Sequence, residues 1–417
     1  MRSRSPVRAL ALIASLASAC ASHPRALTLT AATYTPRGDR APSHPPVTPY
    51  PRVEAPPSSP FDALPGWRDD SLAEALPAWR RTCERLASAP SDRPVGRDGA
   101  WGTVADWRAA CASLPSDTCA HDDARRYFER AFVTVALADG DNPTGLFTGY
   151  YEPQLRGSRT RTARYSVPLY ARPRDLVTTS RGASRRVRGR LVRYWTRAEI
   201  ARGALRRSAE VLAWVDDPVE AFFLEIQGSG RVLFEDGSSR FLNYSASNGH
   251  PYTAIGRELV TRGALTREAV SLQSIRAWLV AHPREAQGVM NTNPSYVFFR
   301  ASDDPGSHGA EGVTLTPGRS LAVDLRFVPL GVPLFVDIEA LEGVGPIRRL
   351  VVAQDTGGAI RGAVRGDLFW GAGPDAFDRA GRMRQHGRYW MLVPRALADR
   401  LPHRERATDE ARTAHAE

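Results

Sequence analysis

Residues 351–373 read VVAQDTGGAIRGAVRGDLFWGAG and place Asp355 and Asp367 on either side of a run of Gly, Ala and Arg. The apolar lead-in is typical of a buried strand, whereas the small residues after it are not. Glycine has no Cβ atom, so the backbone of such a segment can approach a bulky ligand closely and offer it N–H donors. The pattern therefore predicts a ligand-binding segment flanked by two carboxylates.

A third aspartate, Asp324, also stands at the end of an apolar run in this region. For Asp324 and Asp355, an equal alternative is that the side chain caps a turn. Asp367 differs because Leu368, Phe369 and Trp370 follow it and form a low-dielectric wall. Burial disfavours the charged form and raises the pKa of a carboxylic acid, which makes it a general acid able to protonate an ether oxygen near neutral pH.

Other kinds of catalytic chemistry find little support. The chain has no G-x-S-x-G motif and no histidine spacing of the H-E-x-x-H kind. His250, within NGHPYTAIG, is interpreted as a loop histidine rather than a base. We therefore predict carboxylate chemistry with neither a metal nor a cofactor.

Aromatic and neutral hydrogen-bonding residues recur in clusters, as saccharide-binding sites require. The clusters are Thr148, Tyr150 and Tyr151; Gln227 and Ser229; Asn243, Tyr244, Asn248 and Tyr252; and Asn291, Asn293 and Tyr296. Any one cluster could equally be turn asparagines beside a core aromatic residue, but their joint presence favours a sugar polymer as ligand. The substrate-binding candidates are Thr148, Tyr151, Gln227, Ser229, Tyr244, Asn248, Tyr252, Asn293 and Tyr296.

Hydrophobic periodicity divides the chain into a helical beginning and a β-rich remainder. Residues 67–140 have helical spacing, including SLAEALPAWRRTCERLAS and DDARRYFERAFVTVAL. After Gly145 short apolar runs such as AFFLEIQGSGRVLFEDG and SRFLNYSASNG indicate strands, with a capping-box helix start at Thr196 and Glu199 and a helix through SLQSIRAWLVAHP. The fold class is α+β, mainly β and barrel-like, without the alternation of a Rossmann or TIM fold.

The N-terminus predicts export. MRSRSPVRALALIASLASAC has a basic head, an apolar run and small residues before Cys20. We favour a lipoprotein signal (residues 1–20) with Cys20 acylated; Ala17-Ser18-Ala19 also fits an ordinary cleavage site, which would give a soluble periplasmic protein. Residues 21–66 are rich in Pro, Ser, Thr and Ala and are predicted to be an extended linker, and residues 396–417 a charged tail.

Charge and cysteine content agree with an exported protein. The net charge of +11 is carried entirely by arginine, which indicates a compositional bias, and no nucleic-acid partner is predicted. Beyond Cys20 the cysteines are Cys83, Cys111 and Cys119. One disulfide is expected in an oxidising compartment. We favour Cys83–Cys111, which would join two helical stretches, with Cys111–Cys119 as the local alternative.

Several of these motifs together resemble one family. They are GLFTGYYEP, AFFLEIQGSGRV, NGHPYTAIGREL, MNTNPSYVFF, SLAVDLRFVPLGVPLF, and the block from VAQDTGGAIRG to RYWMLVP. In this order they resemble the membrane-bound lytic murein transglycosylase A family, and the last block resembles its three-aspartate (3D) domain. The resemblance implies a double-psi β-barrel built from residues 67–152 and 312–395, with a smaller β-barrel domain, residues 153–311, inserted between them.

The same resemblance implies an activity. Asp367 matches the catalytic aspartate of the family, and Asp355 and Asp324 match the other two. The implied reaction cleaves the N-acetylmuramic acid–N-acetylglucosamine bond of peptidoglycan and leaves a 1,6-anhydro end. The rivals are a hydrolytic muramidase and a non-catalytic peptidoglycan-binding lipoprotein. We expect a monomer in the periplasm, anchored by lipid to the outer membrane, with glycan strands as its partner.

Overall fold

The computed structural model describes residues 60–179, 182–205, 207–302, 306–398 and 400. Cys20, with the predicted signal peptide and acylation site, lies outside the described residues, as do most of the predicted linker and tail. Within the described ranges, no helix combines the length and the apolar character that crossing a bilayer requires.

The α-helices, in chain order, are α1 Leu76–Ala87, α2 Val104–Cys111, α3 His121–Ala131, α4 Arg197–Ala201, α5 Pro218–Gln227, α6 Ile255–Thr261, α7 Leu272–Ala281, α8 Pro283–Met290, α9 Pro374–Arg382 and α10 Arg395–Ala398. The strands are β1 Phe132–Ala136, β2 Gly145–Glu152, β3 Gln154–Ser158, β4 Val167–Tyr170, β5 Val177–Thr179, β6 Gly182–Val187, β7 Arg190–Arg193, β8 Val211–Val215, β9 Gly230–Phe234, β10 Ser239–Ser247, β11 Val297–Ser302, β12 Ser320–Val323, β13 Pro333–Leu341, β14 Gly345–Asp355, β15 Arg365–Ala372 and β16 Arg384–Pro394. Short 3₁₀ turns occupy Phe61–Ala63, Leu72–Ala75 and Arg97–Gly99.

Six strands close into the first barrel. Their order is β16, β13, β14, β12, β15 and β2, and a further pairing of β2 with residues 384–387 of β16 completes the ring. Strand β1 pairs farther along the same edge, with residues 390–394 of β16. Its strands β13, β14 and β16 carry long apolar runs because one face fills the barrel and the other is covered by the N-terminal helices. The predicted α+β, mainly β, barrel fold is confirmed.

The N-terminal helices pack on this barrel through large aromatic side chains. Trp79 and Trp107 are fully buried, and Nε1 of Trp79 donates to the hydroxyl of Tyr127 at 2.7 Å. A disulfide joins Cys83 in α1 to Cys111 in α2, the pairing that we favoured over Cys111–Cys119, and Cys119 is a free thiol.

A second barrel is formed by the chain between β2 and β12. Its six strands run in the order β11, β10, β9, β3, β8 and β4, and a bridge between Ala171 and Phe299 brings the two ends of the sheet together. Helices α5 to α8 pack beside it around a separate apolar cluster that includes Phe222, Phe223 and Leu259. The strands β5, β6 and β7 form a small sheet of their own.

Two local predictions are wrong. The run AFFLEIQ, which we expected to be a strand, lies in α5; only the following GRVLF is a strand. Helix α5 has no polar stripe because Ala221 and Leu224 face the second barrel while Phe222 and Phe223 face the neighbouring helices. The helix predicted over DDARRYFERAFVTVAL ends at Ala131, and FVTVA forms β1, whose Phe132 and Val135 are buried against the first barrel.

Candidate active site

Four residues form a row across neighbouring strands of the first barrel. Ala322 of β12 pairs with Asp355 on β14 and with Asp367 on β15, and Asp367 pairs in turn with Thr148 on β2. Residues directly opposite each other project from the same face of a sheet. The two aspartates are therefore separated by two strand spacings, roughly 10 Å between backbones, with only the methyl group of Ala322 between them.

Asp367 has one occupied and one open carboxylate oxygen. Oγ1 of Thr148 donates to Oδ1 at 2.5 Å, whereas no donor among the residues that the structure describes contacts Oδ2. Burial raises the pKa of Asp367 above its usual range, although the nearby Arg365 guanidinium and the Thr148 hydroxyl oppose that rise. The carboxyl group is thus a raised-pKa acid with one oxygen available to a ligand.

Asp355 is held on both oxygens. Oδ1 accepts from the backbone N–H groups of Ala310 and Thr356, each at 2.9 Å, and Oδ2 accepts from the hydroxyl of Tyr150 at 3.0 Å. Burial raises the pKa of Asp355 to about 6 against the lowering effect of these donors. This carboxylate is fixed in position by the protein.

Asp324 is 1% exposed and does not line the groove next to Asp367. Its carboxylate accepts from the guanidinium and the backbone N–H of Arg326, and from the N–H of Gly362 at 2.9 Å. Burial alone would raise the pKa of Asp324, but these hydrogen bonds outweigh it and hold the pKa below its usual value. Gly362 has φ +128°, which glycine adopts readily, so Asp324 fixes the end of the loop that follows Asp355.

A groove of about 750 Å³ runs in front of the two other aspartates, between the first barrel and the second. Gly357 and Gly358 line it from the first barrel, and the Cβ position of Gly358 is 4.0 Å from Cβ of Tyr252 on the facing wall. The groove brings together these sequence-predicted residues: Asp355, Asp367, Thr148, Gln227, Tyr244, Tyr252 and Asn293. The side chains of Tyr244 and Tyr252 are exposed there.

Four substrate-binding candidates do not line this groove. Asn248 is buried, and its amide donates to the carbonyls of Trp195 and Pro294, each at 2.8 Å. Tyr296 is buried beneath the groove, where its hydroxyl bonds Glu225, and Ser229 is also buried. Tyr151 lines a different cavity of about 680 Å³, because successive residues of β2 point to opposite faces.

Comparison with known proteins identifies the family. The model described as "MltA specific insert domain" matches residues 146–300, and the "3D domain" model matches residues 319–393. A solved membrane-bound lytic murein transglycosylase from Agrobacterium tumefaciens is 33% identical, with a TM-score of 0.75; the match covers 82% of this chain and 99% of that one. The chain belongs to the membrane-bound lytic murein transglycosylase A (MltA) family.

Two further comparisons are with MltA of Escherichia coli, one by sequence and one by structure. Membrane-bound lytic murein transglycosylase A of Escherichia coli K12 is 36% identical over 253 residues, which is 59% of this chain and 65% of that protein, so the match spans slightly less than two thirds of that relative. The crystal structure of E. coli MltA with bound chitohexaose is 29% identical, with a TM-score of 0.60, and the match covers 80% of this chain and 91% of that one.

Four side chains that line this groove were not among the candidates predicted from the sequence. Tyr150 belongs to a cluster noted in the sequence and contacts Asp355, but was not a candidate. Arg365 donates to Oγ1 of Thr148 at 2.8 Å, and its position two residues before Asp367 on one strand was the available signal. Arg197 and Glu225 form a buried ion pair at 2.7 Å in the groove floor, and nothing in the sequence indicated that α4 and α5 would meet there.

Possible metal ligands do not converge among the described residues. Throughout the described ranges, no three His, Cys, Asp or Glu side chains come together in the way a metal site requires. His250 lines the groove, with Nε2 2.8 Å from the carbonyl oxygen of Tyr194. That contact occupies one ring nitrogen and agrees with a loop histidine.

Proposed function

We propose that the chain is a peptidoglycan lytic transglycosylase that cleaves the β-1,4 bond between N-acetylmuramic acid and N-acetylglucosamine. The observation that carries the proposal is Asp367, a partly buried acid that lines a groove of about 750 Å³ and whose Oδ2 contacts no donor among the described residues. Support also comes from the family itself and from the E. coli MltA structure, whose bound chitohexaose is a β-1,4-linked sugar chain.

We assign the role of acid to Asp367 because both carboxylate oxygens of Asp355 already accept hydrogen bonds from the protein. Both oxygens of Asp355 are occupied by protein donors, whereas Thr148 is the one donor to Asp367 among the residues that the structure describes. A carboxyl group whose pKa is raised by burial retains its proton at higher pH and donates it efficiently. Asp355 instead contributes negative charge beside the developing positive sugar.

The reaction balances with one carboxyl group. Protonated Asp367 gives its proton to the glycosidic oxygen, the bond from that oxygen to C1 of the muramic residue breaks, and C1 becomes oxocarbenium-like. The Asp367 carboxylate then removes the proton from the C6 hydroxyl, and O6 bonds to C1 to form the 1,6-anhydro ring. The acid is regenerated and no water is consumed. The nucleophile belongs to the same sugar, so proximity contributes much of the acceleration.

Arg365 and Thr148 determine which carboxyl oxygen of Asp367 carries the acid proton. An arginine can only donate, so Nη2 of Arg365 occupies a lone pair of Thr148 Oγ1 at 2.8 Å. The hydroxyl proton of Thr148 is then directed at Oδ1 of Asp367. With Oδ1 engaged as an acceptor, the acid proton is placed on Oδ2.

Asp367→Asn tests the assignment. The variant removes the proton donor while keeping the shape of the side chain, so turnover of sacculi falls on the order of 10²-fold or more, while binding to sacculi is retained. Asp92→Asn, at an exposed site, serves as the matched control and keeps full turnover. Unchanged turnover in Asp367→Asn would assign the acid to another residue.

Product masses separate the proposal from its rivals. Digestion of purified sacculi yields muropeptides with 1,6-anhydromuramic ends, each lighter by one water than the product of a muramidase. Reducing muramic ends would instead establish hydrolysis, with Asp355 or Asp324 as the candidate base. Binding without any release of fragments would establish a non-catalytic wall-binding protein.

We also propose that the mature chain is a periplasmic lipoprotein of the outer membrane, held through Cys20 and acting as a monomer. The supporting observations are the lipoprotein-like sequence before Cys20 and the membrane-bound relatives in E. coli and A. tumefaciens. Labelled palmitate enters the wild-type protein and not Cys20→Ser, and the label fractionates with the outer membrane. Equal recovery of both proteins in the soluble periplasm would exclude the anchor.

A further inference from the structure

The hairpin of β6 and β7 is strongly basic, with five arginines among residues 182–193 and no acidic residue. The two strands are antiparallel and are joined by Arg188 and Gly189; β6 also pairs with β5, and within the described residues neither strand pairs with a barrel strand. These two residues have φ of +47° and +82°, as a type I′ turn requires. Every residue from 186 to 193 is exposed, so this tip makes no part of a core.

Four arginines define the tip: Arg186, Arg188, Arg190 and Arg193. Among the residues that the structure describes, no carboxylate lies within ion-pair distance of any of them, in contrast to the paired Arg164 and Arg197 on either side in sequence. Arg185, nearer the base, is different because its guanidinium lies 3.5 Å from the centroid of the Trp195 ring. The tip is therefore a concentration of positive charge that no described group neutralises.

The same tip exposes three aliphatic side chains. Val187 is 38%, Leu191 47% and Val192 37% exposed. Leu191 lies opposite Arg186, and Val187 opposite Arg190, so each face of the ribbon carries an aliphatic residue beside an arginine. Arginine can keep its charged head in water while its stem and its neighbours enter an apolar layer.

We propose that this basic hairpin docks on an anionic phospholipid surface. The inference rests on the membrane location proposed above. Arginine near an anionic leaflet is attracted to its headgroups, and exposed aliphatic side chains at the same tip enter the acyl boundary. An anionic wall polymer would satisfy the four arginines but would offer no apolar layer to Val187, Leu191 and Val192, so the composition of the tip favours lipid.

The base of the hairpin adjoins the wall of the groove. A Cβ atom on Gly249 would lie 2.5 Å from the backbone nitrogen of Ala183 in β6, and the next residue, His250, lines the groove. The hydrogen-bonding contact of His250 with Tyr194 ties the end of the hairpin to the same wall. Docking of the tip therefore also sets the orientation of the groove relative to the peptidoglycan beside the membrane.

The test uses the mature chain carrying Cys20→Ser, so that no lipid anchor contributes. Its binding to phosphatidylglycerol-containing vesicles is compared with binding to pure phosphatidylcholine vesicles. We expect binding to the anionic vesicles only, weakening between about 0.1 M and about 1 M NaCl as charges are screened. R186Q/R188Q/R190Q/R193Q is expected to lose vesicle affinity on the order of 10²-fold or more.

A charge-matched control separates the hairpin from net charge. R202Q/R257Q/R267Q/R284Q removes four exposed arginines elsewhere and is expected to bind vesicles as the parent does. V187S/L191S/V192S keeps the charge and is expected to lose part of the affinity. The midpoint of thermal unfolding is measured for each variant, and a value equal to that of the parent shows that the barrels are intact.

Three results would overturn the proposal: equal vesicle binding by the four-arginine hairpin variant, an equal loss in the control, or a loss of binding to lipid-free sacculi with vesicle binding unchanged. The last would assign the tip to the wall polymer. Turnover of soluble glycan fragments, which needs no membrane, is measured in parallel and is expected to be unchanged in the hairpin variants. Absence of turnover in the parent chain would contradict the proposed enzyme while leaving the vesicle result standing.

Discussion

Thr148 and Asp367 lie opposite each other on parallel neighbouring strands, with Oγ1 of Thr148 2.5 Å from Oδ1 of Asp367. The two residues are 219 positions apart in the chain. The same threonine accepts a hydrogen bond from Arg365. The Thr148 hydroxyl thus lies between the Arg365 guanidinium and the carboxyl group of Asp367, the proposed acid. Substitutions at Thr148 and at Arg365 test the two partners separately.

Thr148→Val keeps the shape of the side chain and removes its hydroxyl. The hydroxyl favours the ionised form of Asp367 and lowers its pKa, so the variant has a higher pKa at this acid. We expect kcat to fall on the order of 10-fold because the acid is less well oriented, and the decline of kcat at alkaline pH to move to higher pH. The pH profile of turnover measures both. Thr148→Ser retains the hydroxyl and should follow the wild-type profile; a wild-type profile for Thr148→Val would contradict the role.

Arg365→Gln removes the positive charge beside Asp367. That charge lowers the pKa of Asp367, so its loss raises the pKa, and protonated acid persists to higher pH. The alkaline decline of kcat therefore moves upward, whereas Arg365→Lys keeps the charge and moves it less. Arg384→Gln is the control, because Arg384 pairs with Thr148 on β16 but is exposed. A downward movement in Arg365→Gln would contradict the electrostatic assignment.

Asp355→Asn is predicted to change the pH dependence of stability. The pKa of Asp355 is raised to about 6 in the folded chain from 3.8, so the folded state holds this proton more firmly and wild-type stability falls as pH rises through that window. An asparagine does not titrate; its carbonyl can accept from Ala310 and Thr356, and its amide can donate to Tyr150. The free energy of unfolding of the variant relative to wild type should rise between about pH 4 and about pH 7, on the order of 1 kcal/mol.

Urea unfolding at those two pH values measures this difference. Asp92→Asn should show no such trend, since Asp92 is exposed. Glu225 and Glu311, whose pKa values are each raised to about 7 by burial, remain in both proteins and cancel in the comparison. A flat difference for Asp355→Asn would mean that the carboxyl group titrates normally.

Loss of the disulfide is predicted to destabilise the N-terminal helices. Cys83 and Cys111 close a loop with a sequence separation of 28, and cross-links of that length constrain the unfolded chain by about 3–4 kcal/mol. The double variant Cys83→Ser/Cys111→Ser should lose about that much free energy of unfolding. Cys119→Ser, at the free thiol, should change it by less than about 1 kcal/mol. Equal effects of the two variants would show that the bridge contributes nothing.

Much of the fold was predictable because local signals agreed with the tertiary structure. The apolar runs of β13, β14 and β16 are long enough to indicate buried strands. The capping box at Thr196 begins α4 as predicted: the backbone N–H of Glu199 donates to Oγ1 of Thr196, and the backbone N–H of Thr196 donates to the carboxylate of Glu199. The prediction of a strand was wrong at α5 because this helix packs on both sides and lacks the polar stripe that marks a surface helix.

The candidate site was less predictable than the fold. The composition of the clusters indicated a sugar-binding surface, but not which members face the groove. Strand alternation separates Tyr150 from Tyr151, and the buried amide of Asn248 bonds backbone carbonyls rather than facing the groove. The partners of Asp367 depend on strand register between distant segments, which residue spacing alone does not encode.

The closure of the first barrel by β2 has a consequence for biogenesis. Thr148 pairs with Asp367 on one side and with Arg384 on the other, and the whole second barrel is made between β2 and those partners. Such long-range pairings form late and slowly. In the proposed export, the second barrel can fold before the strands that pair with β2 have crossed the membrane. The proposed catalytic centre is then assembled only once β15 and β16 have followed.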